Sequence, residues 1–262
     1  SFVPYENDTI TKGNISVCKK KNIGVYVQLR NAGQPIIVRA ASSFVSIDGA
    51  RRNLDVEIPH TNFDETRKEL ANIWEHHLGR IEVETSDTVH LRKFYGSLYR
   101  TSFLPRTIND IDGQYPAFSS GKTTHTTRAY YDDFSMWDTY RALHPLLVLL
   151  SPTKSGEMMQ SLVNKYEQGG WLPIFTCWNS YTAAMIGDHC TAAICYAYIK
   201  GVRNFDIYTA YEAMRKNAFE QPDTYEEYAN GMGRRALRSY MSYGYIPLED
   251  SVKEAYHQRE QT

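Results

Sequence analysis

The sequence predicts an α+β protein of more than one domain, with strands in its first part and helices in the rest. In the first sixty residues, apolar residues alternate with polar ones as they do along strands. From Asn62 onward, apolar residues recur with helical spacing and are separated by loops rich in glycine, proline and aspartate. A strand region followed by a helical region indicates an α+β fold or separate domains.

The strand region predicts a β-meander. The apolar runs are Ile23, Val25, Val27 and Leu29, then Ile36, Ile37 and Val38, then Phe44, Val45 and Ile47. Asn31-Ala32-Gly33 and Asp48-Gly49 supply the turns, because glycine and asparagine tolerate the backbone of tight connections. Three or four strands are too few for both layers of a sandwich. The sheet therefore packs on the helical part or lacks earlier strands.

A linker helix is predicted after Asn62, because Leu70, Ile73, Trp74 and His77 share one helical stripe. Further helices are predicted at roughly 90–104, 135–150, 155–168, 181–200, 206–219, 225–243 and from 249 to the end. Ser155 is expected to cap its helix, Gly169 to close it, and Lys200-Gly201 to end the next. The residues of the first of these helices that are expected to face inward are Met158, Met159, Leu162, Val163 and Tyr166. The last helix has no C-terminal signal, so we expect an internal segment of a longer polypeptide.

Composition excludes several classes of partner. A formal net charge of −1 provides no field to attract nucleic acid. No apolar run approaches the roughly 18 residues of a membrane span. The four cysteines lack CxxC pairs and are expected to be buried thiols. The 20 tyrosines suit either a protein that stacks rings on sugars or a tyrosine-rich surface.

The stretch FSMWDTYRALHPL, residues 134–146, places polar and aromatic groups at the start of an apolar helix. Ser135 and Asp138 have the spacing of a capping box, in which side chains satisfy free backbone N–H groups. Alternatively, the indole of Trp137 stacks on a pyranose while Asp138 accepts hydrogen bonds from its hydroxyls. Both roles fit these residues.

A second aromatic loop contains GGWLP (169–173) and Trp178-Asn179-Ser180-Tyr181, and MIGDH (185–189) follows it. Two such loops close together in sequence predict one rim. Asp188 and His189 can transfer protons, bind a sugar hydroxyl or satisfy each other at a helix start. Adjacent residues on a helix do not share a face, so a catalytic dyad is disfavoured.

The segment Asp110-Ile111-Asp112-Gly113 has the alternating carboxylates of a calcium loop. The glutamate that closes such a loop is missing, and Asp-x-Asp-Gly is common in turns. We therefore predict a turn at this position.

Taken together, these segments resemble glycoside hydrolase family 92, the calcium-dependent exo-acting α-mannosidases. The resemblance rests on an ordered set between residues 94 and 247: FYGSLYRT, DIDGQY, FSMWDTYRALHPL, GGWLP, MIGDH, AYIKG, YEAM and GYIP. It implies that residues 1–60 are the last strands of an N-terminal β-sandwich, that residues 61–89 hold the linker helix, and that residues 90–262 begin an (α/α)6 barrel.

The resemblance also implies an inverting mechanism, in which one carboxyl protonates the leaving oxygen and another activates water. In such enzymes calcium holds sugar hydroxyls. Trp137 and Asp138 correspond to the pair that lines the terminal-mannose subsite, so we expect Asp138 to contact ligand instead of capping. The further candidates for this rim are Arg141, His144, Asp188 and His189.

The chain departs from the family in lacking its acid, base and calcium motifs, which are of the Glu-Gly-Asn, Gly-Asn-Asp/Glu-Asp and Gly-Asn-Glu-Pro types. No catalytic residue or metal ligand is therefore assigned within this chain; we expect them beyond Thr262, and the fragment alone is expected to be inactive. The implied partners are α-mannoside glycans and the remainder of the parent polypeptide. The implied location is periplasmic, cell-surface or secreted.

Two other functions remain open. One is a non-catalytic glycan-binding or scaffold protein on the same fold, for which the absence of an acid and a base is natural. The other is a different inverting (α/α)6 glycosidase, of the trehalase or glucoamylase kind.

Overall fold

The computed structural model describes residues 2–6, 9–10, 23–27, 29, 33 and 35–249. The chain divides into two compact units, Ser1–Arg39 and Ala40–Thr262.

In the first unit the described strands form one antiparallel sheet. The strands are β1 (Phe2–Glu6), β2 (Thr9–Ile10) and β3 (Ile23–Val27), in the order β2-β1-β3. Phe2 pairs with Val27 and Glu6 with Ile23. Strand β3 confirms the predicted run that begins at Ile23, whereas residues 36–38 have no regular structure. Asn31 and Ala32 lie outside the described residues, and the β-sandwich stays a prediction.

The second unit is mainly helical. Its described helices are α1 (Ile47–Glu57), α2 (Phe63–Leu78), α3 (Thr88–Arg100), α4 (Met136–Thr139), α5 (Leu143–Leu150), α6 (Pro152–Gly169), α7 (His189–Ile199), α8 (Ile207–Phe219), α9 (Tyr225–Ala229) and α10 (Leu237–Tyr243). Helix α2 confirms a helix where the linker helix is predicted, and it begins as expected after Asn62, whose side chain accepts from the N–H groups of Asp64 and Glu65. Its role as a linker stays a prediction. The helix predicted from 249 to the end lies almost entirely outside the described residues.

The strand predicted at residues 44–47 is wrong, because helix α1 begins there. The Ser46 side chain accepts a hydrogen bond from the Gly49 N–H at 2.9 Å and caps the helix. Asp48 and Gly49 therefore lie in the first helical turn instead of a hairpin turn. Three apolar residues were too short a run to outweigh this capping signal.

The single helix predicted over 135–150 is divided into α4 and α5. Pro145 explains the division, because a proline ring collides with the carbonyl four residues earlier and its nitrogen has no proton to donate. In the first turn of a helix neither the collision nor the missing N–H matters, because no helical carbonyl lies four residues earlier. Helix α5 begins two residues before Pro145, which places the proline in this first turn. The helix therefore stops after Thr139 and restarts at Leu143.

Three other helix predictions need adjustment. Ser155 does not cap α6, which begins at Pro152 and holds Ser155 inside it, 3% exposed. The segment 181–200 is predicted as one helix, but its first part forms the end of a strand and a loop, and α7 begins at His189. The segment 225–243 is divided into α9 and α10. The ends of α6 at Gly169 and of α7 before Lys200-Gly201 are confirmed.

Short antiparallel strands fill the loops between helices. The described pairs are β4 (Arg106–Thr107) with β7 (Tyr131–Asp132), β5 (Gln114–Pro116) with β6 (Thr123–His125), and β8 (Phe175–Cys177) with β9 (Ser180–Thr182). Strands of two or three residues do not form a layer of their own. They fix the shape of the loops at the helix ends.

The core of the second unit lies between α5, α6, α7 and α8. Met158, Met159, Leu162 and Val163 of α6 are buried there, which confirms the predicted inward face of this helix. Burying one such side chain contributes about 1.5–3 kcal/mol. Across residues 2–249, as far as they are described, no helix is both long and apolar enough to span a membrane.

Candidate functional site

Two long loops meet at one end of this helical core. The first, residues 101–135, precedes α4, and the second, residues 170–188, precedes α7. The Phe134 N–H donates to Thr176 Oγ1 at 3.1 Å, and the Trp178 N–H donates to Asp133 Oδ1 at 3.1 Å. The predicted single rim formed by two aromatic loops thus has direct contacts between those loops.

Trp137 and Asp138 lie in the first turn of α4 and face outward. The Trp137 side chain is 43% exposed, and Asp138 is exposed beside it. Ser135 makes no side-chain hydrogen bond to the helix backbone; its hydroxyl donates to the Asp138 carboxylate instead. The Asp138 carboxylate is therefore oriented by Ser135 and retains lone pairs for another donor.

Arg141 and His189 extend this surface through stacked rings. The guanidinium carbon of Arg141 lies 5.7 Å from the Trp137 ring centroid and 5.1 Å from that of Tyr140. Tyr140 in turn stacks on His189, with centroids 4.3 Å apart and planes 13° from parallel. This chain of contacts joins α4 to the start of α7, and we call Trp137, Asp138, Tyr140, Arg141 and His189 the rim cluster.

The glycine of MIGDH is required by the position of His189. Gly187 has a φ of +149°, and a Cβ atom added to it would lie 2.3 Å from His189 Nε2. Burial lowers the pKa of His189, and the nearby Arg141 lowers it further, while Asp188 opposes both. His189 is therefore held as a neutral ring against Tyr140 at neutral pH.

Asp188 is occupied by its own helix and by α8. Its Oδ1 accepts from Thr191 Oγ1 at 2.9 Å and from Asn217 Nδ2 at 3.5 Å. These bonds give Asp188 a structural role, but its partners are Thr191 and Asn217 instead of His189. His189 Nε2 is buried without a hydrogen-bond partner among the described residues, so the two neighbours do not satisfy each other through that atom.

His144 lies beneath the rim. It is 4% exposed, and its ring stacks on Phe134 at 6.2 Å between centroids. Burial lowers the pKa of His144 to about 4, so the imidazole is neutral at pH 7. Such burial argues against direct contact with a sugar in this chain, contrary to the expectation for His144.

A buried ion pair supports the two loops from below. Lys165 Nζ lies 2.9 Å from Asp132 Oδ1, with side chains 0% and 1% exposed. The same ammonium donates to Tyr130 Oη at 2.8 Å and to Asn179 Oδ1 at 3.1 Å. Burial lowers the pKa of Lys165 to about 8, and the Asp132 carboxylate opposes this shift. One residue of α6 thus ties strand β7 to the β8–β9 turn.

Sequence reasoning missed Tyr140 and Lys165. Lys165 lies seven residues after Met158 and three after Leu162, so it falls on the inward stripe of α6, and this position was a usable signal. Tyr140 had no comparable signal, because it lies between α4 and α5 and its partner His189 comes from another loop.

The carboxylates of the Asp110–Gly113 segment do not fit a calcium ion. Asp110 accepts hydrogen bonds from Ser43 Oγ at 2.7 Å and Asn53 Nδ2 at 2.9 Å. Asp112 pairs with Arg52 at 2.8 Å. The Gly113 N–H donates to the Asp110 carbonyl at 2.8 Å, which is the predicted turn. These oxygens are already engaged.

One other group of possible ligands exists among the described residues. Potential ligand atoms of His60, Glu65 and Glu69 lie within 4.8 Å of one another. A calcium ion prefers six to eight oxygen ligands, so an imidazole with two exposed carboxylates does not fit it either. Neither of these two groups of described residues is therefore suited to calcium.

The sequence matches one family, described as the glycosyl hydrolase family 92 catalytic domain, over residues 49–261. A curated relative from Arthroderma benhamiae, described as an uncharacterized secreted glycosidase, is 28% identical over 238 residues. That alignment covers 87% of this chain and 26% of the relative.

The chain is also similar to solved structures of the same family. A family GH92 α-mannosidase from Bacteroides thetaiotaomicron has a TM-score of 0.77 and 26% identity, covering 95% of this chain and 33% of that one. A family GH92 inverting mannosidase from the same organism has a TM-score of 0.77 and 27% identity, covering 94% and 33%. This chain thus spans about a quarter of the curated relative and a third of these structures.

Proposed function

Because the chain belongs to glycosyl hydrolase family 92, we propose that it supplies part of the mannose subsite of an inverting, exo-acting α-mannosidase. One observation carries the proposal: Trp137 presents an exposed indole beside an Asp138 carboxylate that no backbone amide of its helix occupies. An aromatic face and a neighbouring hydrogen-bond acceptor form the usual contact surface for a pyranose.

The residues of the rim cluster have different proposed roles in binding the sugar. Trp137 offers the face that Arg141 does not cover to the C–H face of the sugar, and Asp138 accepts hydrogen bonds from hydroxyl groups. Arg141, whose guanidinium lies over the indole, donates to the sugar. Tyr140 and His189 hold Arg141 and the α4 turn in place through their stacked rings. Binding in this way orients the glycosidic bond but does not cleave it.

The proposed function also needs a catalytic acid and a catalytic base, and neither is assigned to a residue of this chain. An inverting glycosidase uses two carboxyl groups about 6.5–9.5 Å apart, one to protonate the leaving oxygen and one to activate water. We propose that both groups, and the ligands of a calcium ion that holds sugar hydroxyls when bound, come from outside residues 1–262. The fragment alone is then inactive. We also propose action outside the cytoplasm, since the curated relative is described as secreted.

Substitutions in the complete protein that carries this chain test the proposal. Asp138→Asn should lower kcat/KM on an aryl α-mannoside about 10–100-fold, since a hydrogen bond to a charged group contributes about 1.5–3 kcal/mol. Trp137→Ala should lower it about fivefold, the effect of one aromatic stacking contact. Asp48→Asn is the matched control, because Asp48 is an exposed carboxylate in the first turn of another helix. It should keep the wild-type rate.

Two results would contradict the proposal. If Trp137→Ala and Asp138→Asn hydrolysed the α-mannoside like the wild type, these residues would not line the subsite. If the complete protein cleaved α-glucosides and not α-mannosides, the chain would contribute to a different inverting glycosidase.

A further inference from the structure

A second cavity lies beside the rim cluster and shares no residue with it. Its volume is about 220 Å³. The residues that line it include Arg106, Ser119, Asp132, Trp178, Asn179 and Ser180. We call it the Trp178 pocket. It lies between strand β7 and the β8–β9 hairpin, where the two long loops contact each other.

Trp178 occupies a position where a tryptophan has no structural advantage. Cys177 pairs with Ser180, so Trp178 and Asn179 form a two-residue hairpin turn, with φ angles of +54° and +55°. Turns of this type favour asparagine, aspartate and glycine, because other side chains are strained at positive φ. Burial does not compensate, since Trp178 is 72% exposed. Strain that packing does not explain points to function.

The indole is nevertheless held in a defined position. The guanidinium carbon of Arg106 lies 4.9 Å from the Trp178 ring centroid, and Arg106 also pairs with Asp133. The Trp178 N–H donates to the same Asp133 at 3.1 Å. An exposed ring fixed from one side by a guanidinium leaves its other face for a ligand.

The residues at the floor of the pocket are hydrogen-bonded, and their charges are paired. The Lys165 Nζ atom lies 2.9 Å from Asp132 Oδ1 and donates to Asn179 Oδ1 at 3.1 Å. The carboxylates of Asp132 and Asp133 are matched by the cations of Lys165 and Arg106. A balanced site does not select an ion. Together with the indole and the hydroxyls of Ser119 and Ser180, it suits a neutral polyhydroxylated ring.

The pocket is close to the rim cluster along the chain. Trp137 is four positions after Asp133, and an extended chain spans at most about 3.6 Å per residue, so their Cα atoms lie within about 14 Å. Because Asp133 also accepts a hydrogen bond from the Trp178 N–H, we take the two indoles to lie within reach of one short oligosaccharide.

We propose that the Trp178 pocket binds a second sugar residue of the same glycan, with the free face of Trp178 as the stacking surface. This inference rests on the proposed function, because it takes the first sugar to be the one at Trp137. It makes Trp178 a residue that selects oligosaccharides over simple mannosides.

The test compares two substrates in the complete protein. Trp178→Asn removes the ring and introduces a residue that the turn favours, so folding should be preserved. The ratio of kcat/KM on α-mannotriose to that on an aryl α-mannoside should fall about fivefold, the effect of one aromatic stacking contact. Tyr208→Ala is the control, because Tyr208 is an aromatic residue 86% exposed on α8 and outside the pocket. It should leave this ratio unchanged.

Melting temperature and direct binding separate the possible failures. An unchanged substrate ratio for Trp178→Asn would overturn the inference, and an accompanying large fall in Tm would show that Trp178 packs against protein. If the wild type cleaves no α-mannoside, the proposed function fails, and mannotriose binding by calorimetry then tests the pocket. Equal affinity of the wild type and Trp178→Asn, or no binding by either, would overturn the inference in that case.

Discussion

At the scale of single residues, Asp138 shows how the structure removes one of the two roles that the sequence allows. Ser135 and Asp138 have the spacing of a capping box, yet the Asp138 carboxylate accepts from the Ser135 hydroxyl and no side-chain cap is formed at Ser135. Helix α4 contains four residues, so little helix is present to cap. The carboxylate stays exposed and oriented, as a ligand contact requires.

His144 gives a prediction about pH. Its pKa is about 4 in the folded chain, below the value of about 6.5 expected when unfolded. Between these values the unfolded chain binds more protons, so stability should be full above pH 6.5 and fall by about 3 kcal/mol as the pH drops to 4. Urea denaturation between pH 4 and 7 measures this loss.

His144→Phe should remove that part of the pH dependence, since a phenyl ring retains the contact with Phe134 and has no proton to bind. Leu149→Ala, a change at a 73% exposed position of the same helix, should keep the wild-type dependence. Equal slopes for wild type and His144→Phe would show that other groups control acid stability.

At the scale of elements, α6 has a mostly apolar inward face interrupted by one charge. Lys165 lies on that face and is fully buried, where it contacts strand β7 through Asp132 and the β8–β9 turn through Asn179. Taking both charges of an ion pair out of water costs several kcal/mol, so such a pair adds little net stability. Its effect is to fix two loop segments relative to one helix.

Lys165→Met should destabilise the fold by about 3–5 kcal/mol, because it leaves Asp132 buried without its cation. Adding Asp132→Asn should recover much of this loss, since the uncompensated charge is then gone. Lys154→Met, at an exposed position near the start of α6, should change stability by less than about 0.5 kcal/mol. Chemical denaturation of the wild type, the two single variants and the double variant measures these free energies of unfolding. A Lys165→Met variant as stable as the wild type would contradict the supporting role of the pair.

At the scale of the whole molecule, the chain spans about a third of the mannosidases it resembles. Under the proposed function, Trp137 and Asp138 bind a sugar and the helical core positions them, while the carboxylates of Asp110 and Asp112 are engaged in internal bonds. Under the proposed function, the ligands of calcium come from other residues of the complete protein.

This division leads to a prediction for calcium removal. A chelator should abolish α-mannoside hydrolysis by the complete protein, and added Ca²⁺ should restore it. Asp112→Asn should keep the same calcium requirement, because this carboxylate pairs with Arg52 and not with a metal. Hydrolysis that persists in excess chelator, or a raised calcium requirement in Asp112→Asn, would be inconsistent with the proposal.

The sequence by itself determined the features that depend on local chemistry. Helical spacing located α2, α6 and α8 and the buried face of α6, and the ordered motifs identified the family. Local patterns also misled where two signals competed. Ser46 capped a helix inside a predicted strand, and Pro145 divided a predicted helix, since a single cap or ring outweighs a short apolar pattern.

Tertiary structure alone decided which residues share a surface. Tyr140 and His189 are 49 positions apart and stack, while His144, four positions from Tyr140, is buried beneath them. The same holds for Trp178, Arg106 and Asp133, which meet only because two loops contact each other. Spacing along a chain fixes which face of a helix a residue occupies, but packing between distant segments fixes whether that face is buried or open to a ligand.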